Sequence, residues 1–383
     1  MDAIEKFQSY WSIRSSAFYF TFDISDEIQL SPLNTLYYHL IYKINGYDPY
    51  YYHIGSLLIH SINSILLFIT ANKLLKYFNI SNANFISLFT TLIWAIHPIN
   101  VESVTWISAS KVPLYGMFIL LSFISFLNAT QKQSISNFLF SGFWFLCACL
   151  SKEQAIVLPI MFATLLLAQK RETAGQLKKI FINSLWFFIP GIIITIIITC
   201  INFNMNTNIG FPMPVEKYSL WEKIIISFYC IRFYLTSAFF PINLHHHYVF
   251  PFLPGSKINI LYILYPIGFI LFTFIFFISL KGIRNKQFYL FCIFSFFIHI
   301  GLVLQIFPLT RNTVVADRYM YLPLFFILLL FMELLFNAII SSNTSILKFK
   351  LIVISLFILF FCRYSNQLVK NWEKNNLAGY EQK

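Results

Sequence analysis

Long apolar runs recur along most of this chain, and they constrain its fold more than any other feature. One run, NFISLFTTLIWAI, ends just before His97, and another, MFILLSFISFL, begins just after Gly116. Apolar runs of about 20 residues are typical of transmembrane helices. Only 11% of the 383 residues are charged, against about 25% in a soluble domain. The sequence therefore predicts an all-α, polytopic helical membrane protein.

The basic residues orient these runs, because cytoplasmic loops of membrane proteins are enriched in Lys and Arg. Lys73 and Lys76 follow the first run, and the segment 168–179 contains four more basic residues. Alternation from these two cytoplasmic points gives about ten spans. The run at 224–240 contains Arg232 and two tyrosines, and we predict a re-entrant or interfacial helix there. The predicted spans are residues 52–71, 84–96, 114–127, 138–150, 155–167, 181–201, 258–280, 288–307, 321–340 and 351–362.

The same alternation places four polar segments together on the outer face of the membrane. They are residues 97–111, 151–154, 241–248 and 311–323. Since the excess of basic residues is explained by the cytoplasmic loops, the net charge of +12 does not indicate a nucleic-acid partner, and we predict none. All six cysteines fall in or at the ends of apolar runs and are predicted to be buried structural thiols.

Five motifs occur in order along the chain, and the outer-face segments carry four of them. Together they resemble the bacterial relatives of the membrane O-mannosyltransferases that carry tetratricopeptide repeats, within the polyprenol-dependent GT-C superfamily of glycosyltransferases. The combination of the second motif with the fifth is the most specific part of the resemblance. The motifs are G-x-x-P-x-x-x-H at 46–53, H-P-x-x-x-E-x-x-x-W at 97–106, L-S-K-E-x-x-x-x-x-P at 150–159, P-x-x-L-x-x-x-Y at 241–248 and A-D-R-Y-x-Y-L-P at 316–323.

The resemblance implies three regions and one activity. Residues 1–50 are expected to be an external segment that lacks an upstream first span, 51–363 a GT-C-like transmembrane domain, and 364–383 an external linker stub that would lead to tetratricopeptide repeats. The implied reaction transfers a mannose-like sugar from a polyprenyl-phosphate donor to an acceptor hydroxyl on a protein or glycan. It would take place at the external face of the bacterial inner membrane, with membrane lipid as a partner and with no cofactor.

The chain departs from the family pattern at two places. The Arg and Asp that usually follow the tryptophan loop correspond here to Ser110 and Val112. The acidic pair that the family carries after its first span has no counterpart upstream of Gly46. A catalytically incomplete fragment or scaffold therefore stays open as an alternative. A transporter or lipid flippase stays open too, because Glu333, Arg232 and the Pro190–Gly191 pair lie within or beside apolar runs.

A lipid-linked donor presents its phosphate at the membrane surface, so the protein must bring cations to that depth. Arg binds phosphate bidentately and Lys binds it as a point charge. Four cations at predicted outer span ends are the candidates, although interfacial snorkelling explains such residues equally well. For one of them, Arg318, a structural pair with the adjacent Asp317 is the alternative. The candidate phosphate-binding residues are Lys111, Lys152, Arg311 and Arg318.

The acceptor hydroxyl needs a general base, and a carboxylate is the usual choice at a site of sugar transfer. Asp23, Asp26 and Glu102 are the candidate catalytic residues, with a solvated loop acid as the alternative for the first two. For Glu102 we favour a role in orienting His97 or Lys111.

The remaining candidates are motif residues that would line the substrate site. The aromatic ones could stack on a sugar, or could belong to the aromatic belt of any membrane protein. Three consecutive histidines, 245–247, cannot all reach one ion from regular backbone, so no metal is predicted. The candidate lining residues are His53, His97, Trp106, Glu153, Tyr248, Asp317, Tyr319 and Tyr321.

Overall fold

The computed structural model describes residues 30–132, 134–168, 174–208, 214–245, 247–279, 285–306, 313–337 and 344–381. Helices dominate these ranges, and no strand occurs within them. The α-helices are α1 (Pro32–Asn45), α2 (Pro49–Tyr77), α3 (Ala83–Ile96), α4 (Val101–Thr105), α5 (Lys111–Lys132), α6 (Ile135–Ser151), α7 (Leu158–Ala168), α8 (Ala174–Asn208), α9 (Leu220–Phe239), α10 (Ile260–Ser279), α11 (Lys286–Gly301), α12 (Pro323–Asn337) and α13 (Thr344–Glu381). Short 3-10 turns lie at Pro98–Asn100, Ile107–Ala109, Glu153–Val157, Pro214–Lys217 and Asp317–Met320.

Ten of these helices overlap the ten predicted spans, which confirms a polytopic helical membrane protein. Four segments of the described chain are long and apolar enough to cross a membrane on their own. A fifth is obtained if α3 and the following Pro98–Thr105 segment, which bend by 53°, count as one broken span. Four shorter apolar helices overlap four further predicted spans, and α13, which overlaps the last, is in neither group. The four long segments are α2, Ile107–Lys132, Leu185–Asn204 and α10.

The predicted end of one span was wrong, and turn geometry explains the difference. The helix predicted at 288–307 ends at Gly301, and Gln305 adopts a left-handed φ of 64°, which a continuing helix does not allow. Helix α13 continues through residues 363–364 to Glu381, and the division into a transmembrane domain and a linker stub at that point stays a prediction. Buried thiols are confirmed for Cys149, Cys230 and Cys292, whereas Cys200 and Cys362 are exposed on their helices.

Local sequence chemistry explains why the turns at Asp48 and His97 form where they do. Pro49 begins α2, and the Asp48 carboxylate accepts a hydrogen bond from the backbone N–H of Tyr50 at 3.0 Å, as an N-cap should. Helix α3 stops at His97 because the next residue, Pro98, has no N–H to donate. The chain then turns sharply into α4, and this break creates the loop that carries the candidate site.

Helix α9, predicted as the re-entrant or interfacial helix, is not among the candidate spans. Ser219 and Glu222 form a reciprocal capping box at its start. Glu222 also accepts a hydrogen bond from the backbone N–H of Gly255 at 2.8 Å, and the Tyr218 hydroxyl donates to the Phe252 carbonyl at 2.5 Å. The segment after α9 therefore returns along the helix toward its start. An interfacial position stays our prediction for it.

The bundle interior contains a polar cluster that anchors the A-D-R-Y-x-Y-L-P motif. The Tyr321 hydroxyl lies 2.9 Å from His60 Nδ1 and accepts from the Asn63 amide at 3.0 Å. The Trp94 indole N–H donates to the Tyr321 carbonyl at 2.7 Å. Buried polar groups must be paired in this way to be tolerated. The network ties helices α2 and α3 to the turn that precedes α12.

Candidate functional site

The candidate site forms where the loop after α3 meets the turn before α12. The Glu102 carboxylate on α4 accepts a hydrogen bond from the backbone N–H of Arg318 at 2.7 Å, and it forms an ion pair with the guanidinium of the same residue. The Glu102 side chain is 1% exposed and that of Arg318 is 13% exposed. One carboxylate thus fixes both the backbone and the side chain of Arg318.

Aromatic rings hold the two cations of the site. The Arg318 guanidinium carbon lies 5.0 Å from the centre of the Trp106 ring and 5.3 Å from that of Tyr319. Lys152 Nζ lies 5.5 Å from the same Tyr319 ring and 5.4 Å from the Tyr115 ring. Cations at this distance from a ring are attracted to its electron density. Arg318 and Lys152 are therefore gathered around one tyrosine, from motifs more than 160 residues apart.

Asp317 is bonded to Tyr248 rather than to its neighbour Arg318. The Tyr248 hydroxyl donates to Asp317 Oδ1 at 2.8 Å and accepts from the backbone N–H of His245 at 2.8 Å. Burial raises the pKa of Asp317 well above its usual value, and the nearby Glu102 raises it further. The predicted structural pair of Asp317 and Arg318 is wrong: Glu102 takes the arginine and Tyr248 takes the aspartate.

His97 is buried and connects the end of α3 to α9 and α13. Its Nε2 lies 3.2 Å from the Ala238 carbonyl and its Nδ1 lies 3.2 Å from the Ile99 backbone N–H, so Nε2 is the nitrogen that donates. Its ring also packs 4.6 Å from that of Phe361. Of the two predicted contacts of Glu102, the one with His97 is not made, because both carboxylate oxygens bind Arg318 and the imidazole has backbone partners. The alternative, with Lys111, stays a prediction.

The other predicted lining residues differ in how open they are. Trp106 is 38% exposed, and His53 is exposed one turn into α2. Tyr321, another predicted lining residue, is fully buried in the polar cluster described above. Tyr319 is 4% exposed and meets the site through the face of its ring.

Two predicted lysines and one predicted acid are partly or fully covered by the bundle. Lys152 is 2% exposed, although its charge lies beside Tyr319. Glu153 follows it at the start of a 3-10 turn and is partly buried. Lys111 is partly buried at the first residue of α5.

Three of the predicted residues, Asp23, Asp26 and Arg311, lie outside the described residues, as does His246. Within the ranges that the structure describes, no group of three His, Cys, Asp or Glu side chains is arranged to hold a metal ion.

Sequence reasoning missed the contact that α1 makes with the loop. Ser110 Oγ lies 2.7 Å from the Tyr38 hydroxyl and 3.1 Å from Asn34 Oδ1, and Tyr38 donates to the Ile107 carbonyl at 2.6 Å. Asn34 and Tyr38 are four residues apart, so they share one face of α1. The four-residue spacing of Asn34 and Tyr38 was the sequence feature that could have indicated this contact. The residue that departs from the family pattern, Ser110, is thus used to hold α1 on the loop.

Together the fold and this cluster of cations, carboxylates and aromatic rings define an integral membrane protein with a polar site at the ends of its helices. Comparison with known proteins gives the more particular result. Residues 31–200 match the family model described as dolichyl-phosphate-mannose-protein mannosyltransferase. The resemblance predicted from the motifs is therefore confirmed over this part of the chain, which includes the first three motifs.

The chain is also similar to curated proteins over about one third of its length. It is 34% identical over 134 residues to protein O-mannosyl-transferase tmtc2 of Xenopus laevis, which is 33% of this chain and 15% of that protein. It is 29% identical over 140 residues to human protein O-mannosyl-transferase TMTC4, covering 33% of this chain and 19% of that protein. The similarity to human TMTC1 is 27% over 135 residues, 33% of this chain and 15% of that protein. The matched region thus spans less than one fifth of the length of each relative. No solved structure matches this chain.

Proposed function

We propose that this chain is the membrane-embedded part of a glycosyltransferase. It transfers a mannose-like sugar from a polyprenyl-phosphate donor to an acceptor hydroxyl on a protein or glycan, at the external face of a bacterial inner membrane. The names of its relatives, all protein O-mannosyltransferases, support the reaction class. Lys73 and Lys76 near the end of α2, and the four basic residues of the segment 168–179, support the orientation.

The observation that carries the proposal is the placing of Arg318 and Lys152 around the ring of Tyr319. When the sugar leaves the donor, the polyprenyl phosphate takes up negative charge, and stabilising that charge is the main task of the protein. Arg318 is held at one part of its guanidinium by Glu102, and a guanidinium has five N–H donors. It can therefore bind Glu102 and a phosphate oxygen at once.

Lys152 is too buried to meet a phosphate directly in this arrangement. A charge in a low-dielectric setting nevertheless acts over several ångströms more strongly than it would in water. Lys152 would therefore favour an anion beside Tyr319 by its field, while Arg318 makes the contact. Trp106 adds an exposed ring at the same edge, on which a sugar could stack.

The base that activates the acceptor hydroxyl is not Glu102 in this proposal. Both of its oxygens bind Arg318, so it positions the arginine instead. Asp317 is buried and already accepts a hydrogen bond from the Tyr248 hydroxyl, so it is poorly placed to receive a proton from an acceptor. Asp23 and Asp26 stay the candidate bases, and they would have to approach the loop from the N-terminal segment.

The proposal is tested by transfer of radiolabelled mannose from polyprenyl-phosphate mannose by the purified chain. Replacing Arg318 with Ala should reduce transfer by at least one order of magnitude, because a charge-assisted contact to phosphate is worth about 1.5–3 kcal/mol. Arg318→Lys should restore part of it, since Lys keeps the charge but loses the bidentate geometry. Arg363, exposed on α13, provides the matched control as Arg363→Ala.

Full transfer by Arg318→Ala would refute the role of the cation. A wild-type chain that moves labelled lipid across a liposome membrane without transferring sugar would favour a flippase. A chain that binds donor but transfers sugar only after the addition of a longer form carrying an acidic pair would favour the incomplete fragment.

A further inference from the structure

The C-terminal half of α13 contacts the candidate site through one continuous stripe of its surface. The stripe consists of Phe361, Ser365, Leu368 and Trp372, spaced four, three and four residues apart. That spacing places all four side chains on a single face of an α-helix.

Each of these four side chains is buried or contacts a neighbouring residue. The Phe361 ring packs 4.6 Å from His97, and the Ser365 hydroxyl donates to the Ile96 carbonyl at 2.8 Å. Leu368 is 6% exposed. The Trp372 ring stacks on Trp106 with 6.1 Å between ring centres and 27° between ring planes. The stripe thus follows the loop from the end of α3 to the tryptophan of the H-P-x-x-x-E-x-x-x-W motif.

Trp106 connects this stripe to Arg318. Its ring lies 6.1 Å from that of Trp372 and 5.0 Å from the Arg318 guanidinium carbon. Trp106 follows the last residue of α4 in extended backbone, where a helix no longer fixes the direction of its side chain. Since the ring is also partly exposed, its orientation depends on the side chains stacked against it.

We propose that Trp372 is a positioning residue for Arg318, acting through Trp106, so that the C-terminal half of α13 is part of the donor site. Trp372 holds the Trp106 ring, and Trp106 holds the face of the guanidinium while Glu102 holds its edge. Displacing the end of α13 would therefore loosen Arg318 without touching the donor. This inference rests on the proposed function, in which Arg318 contacts the donor phosphate.

The first test measures sugar transfer by Trp372→Ala as a function of donor concentration. The KM for the polyprenyl-phosphate donor should rise by about two- to tenfold, the size expected for the loss of one aromatic pair, with a smaller change in kcat. Trp372→Phe keeps a ring and should recover most of the affinity. Trp186 is 70% exposed on α8, and Trp186→Ala removes an indole far from the stripe as a matched control.

The second test does not depend on enzyme activity. Ser108 is exposed in the turn after Trp106, so Ser108→Cys places a thiol beside the stack. In a background with Cys200→Ser and Cys362→Ser, Trp372→Ala should speed the reaction of this thiol with a membrane-impermeant reagent by several-fold. Trp106→Ala should have the same effect, and Trp186→Ala should have none.

An unchanged donor KM together with an unchanged labelling rate in Trp372→Ala would overturn the inference. So would a fall in kcat with the KM preserved, since that pattern indicates damage elsewhere. If Trp372→Ala unfolds in detergent, Trp372→Phe and Ser365→Ala provide milder changes with the same two readouts. A wild-type chain that does not bind the donor refutes the proposed function. In that case the labelling rate of Ser108→Cys still tests the contact between α13 and the loop.

Discussion

Replacing Glu102 with Gln changes one oxygen of the carboxylate to an amide and removes the charge that holds Arg318. The native carboxylate is 1% exposed, and it accepts one backbone hydrogen bond and one from the guanidinium. Gln can still accept one of these bonds, whereas Ala can accept neither. The variants therefore separate the loss of charge from the loss of both bonds.

The expected cost follows from the burial of the pair. Removing one partner of a fully buried ion pair costs about 3–5 kcal/mol, but Arg318 is 13% exposed and keeps some contact with solvent or headgroups. We therefore expect a lower free energy of unfolding by about 2 kcal/mol for Glu102→Gln and about 3 kcal/mol for Glu102→Ala.

Thermal unfolding of the purified variants in one detergent measures this order. Glu216, exposed in a 3-10 turn, provides the control, because Glu216→Gln removes a charge without breaking a buried pair and should leave the Tm unchanged. Sugar transfer should fall in both Glu102 variants as Arg318 loses its fixed position. A Tm in Glu102→Ala equal to that of the wild type would refute the reasoning that this pair fixes the loop.

Three further predictions test other parts of the account. Asp317 has a raised pKa in the folded chain, so the folded state binds more protons than the unfolded state at pH values between the two pKa values. The stabilisation is complete below the unfolded-state pKa and is lost as the pH rises toward the folded-state pKa. The Tm should therefore fall between these two pH values, and Asp317→Asn should remove this dependence of the Tm on pH. Tyr321→Phe removes the hydroxyl that meets His60 and Asn63 and should cost about 1–3 kcal/mol by leaving buried polar groups unpaired, with a lower Tm and an unchanged donor KM as the readout. Ser110→Ala breaks the contact with Tyr38 and should cost about 1 kcal/mol while accelerating proteolysis in the segment 30–45; equal rates in mutant and wild type would contradict the role of Ser110.

The helices were predictable because their signal is local. Apolar runs and basic loops lie within single windows of sequence, and Pro98 marks the end of α3 by its missing N–H. The convergence of three polar segments was predictable too, since alternation across the membrane predicts that 97–111, 151–154 and 311–323 lie on one side. Their meeting in the structure agrees with that prediction.

The pairing inside the site was not predictable, because it depends on contacts across the fold. Glu102 and Arg318 are 216 residues apart, and the neighbour Asp317 was an equally reasonable partner in sequence. Tyr319 and Tyr321 lie two residues apart in one motif, yet one meets the site and the other is buried in the bundle. Only the turn geometry before α12 separates them.

The contacts of the C-terminal helix were also not predictable from the sequence, but for a different reason. Polar residues after 363 indicated a linker, because a membrane-spanning pattern ends there. The stripe of Phe361, Ser365, Leu368 and Trp372 preserves a helical face across that boundary, but after residue 363 only two of its members, Leu368 and Trp372, are large and apolar.

The central claim is that this site binds a lipid-linked phosphate through Arg318. The most direct measurement is a titration of the purified chain with polyprenyl-phosphate mannose beside the matching uncharged polyprenol. The account predicts saturable binding of the phosphate lipid that weakens at least tenfold in Arg318→Ala, and weak binding of the alcohol in both proteins. Equal binding of phosphate lipid and alcohol, or binding that is unaffected by Arg318→Ala, would contradict it.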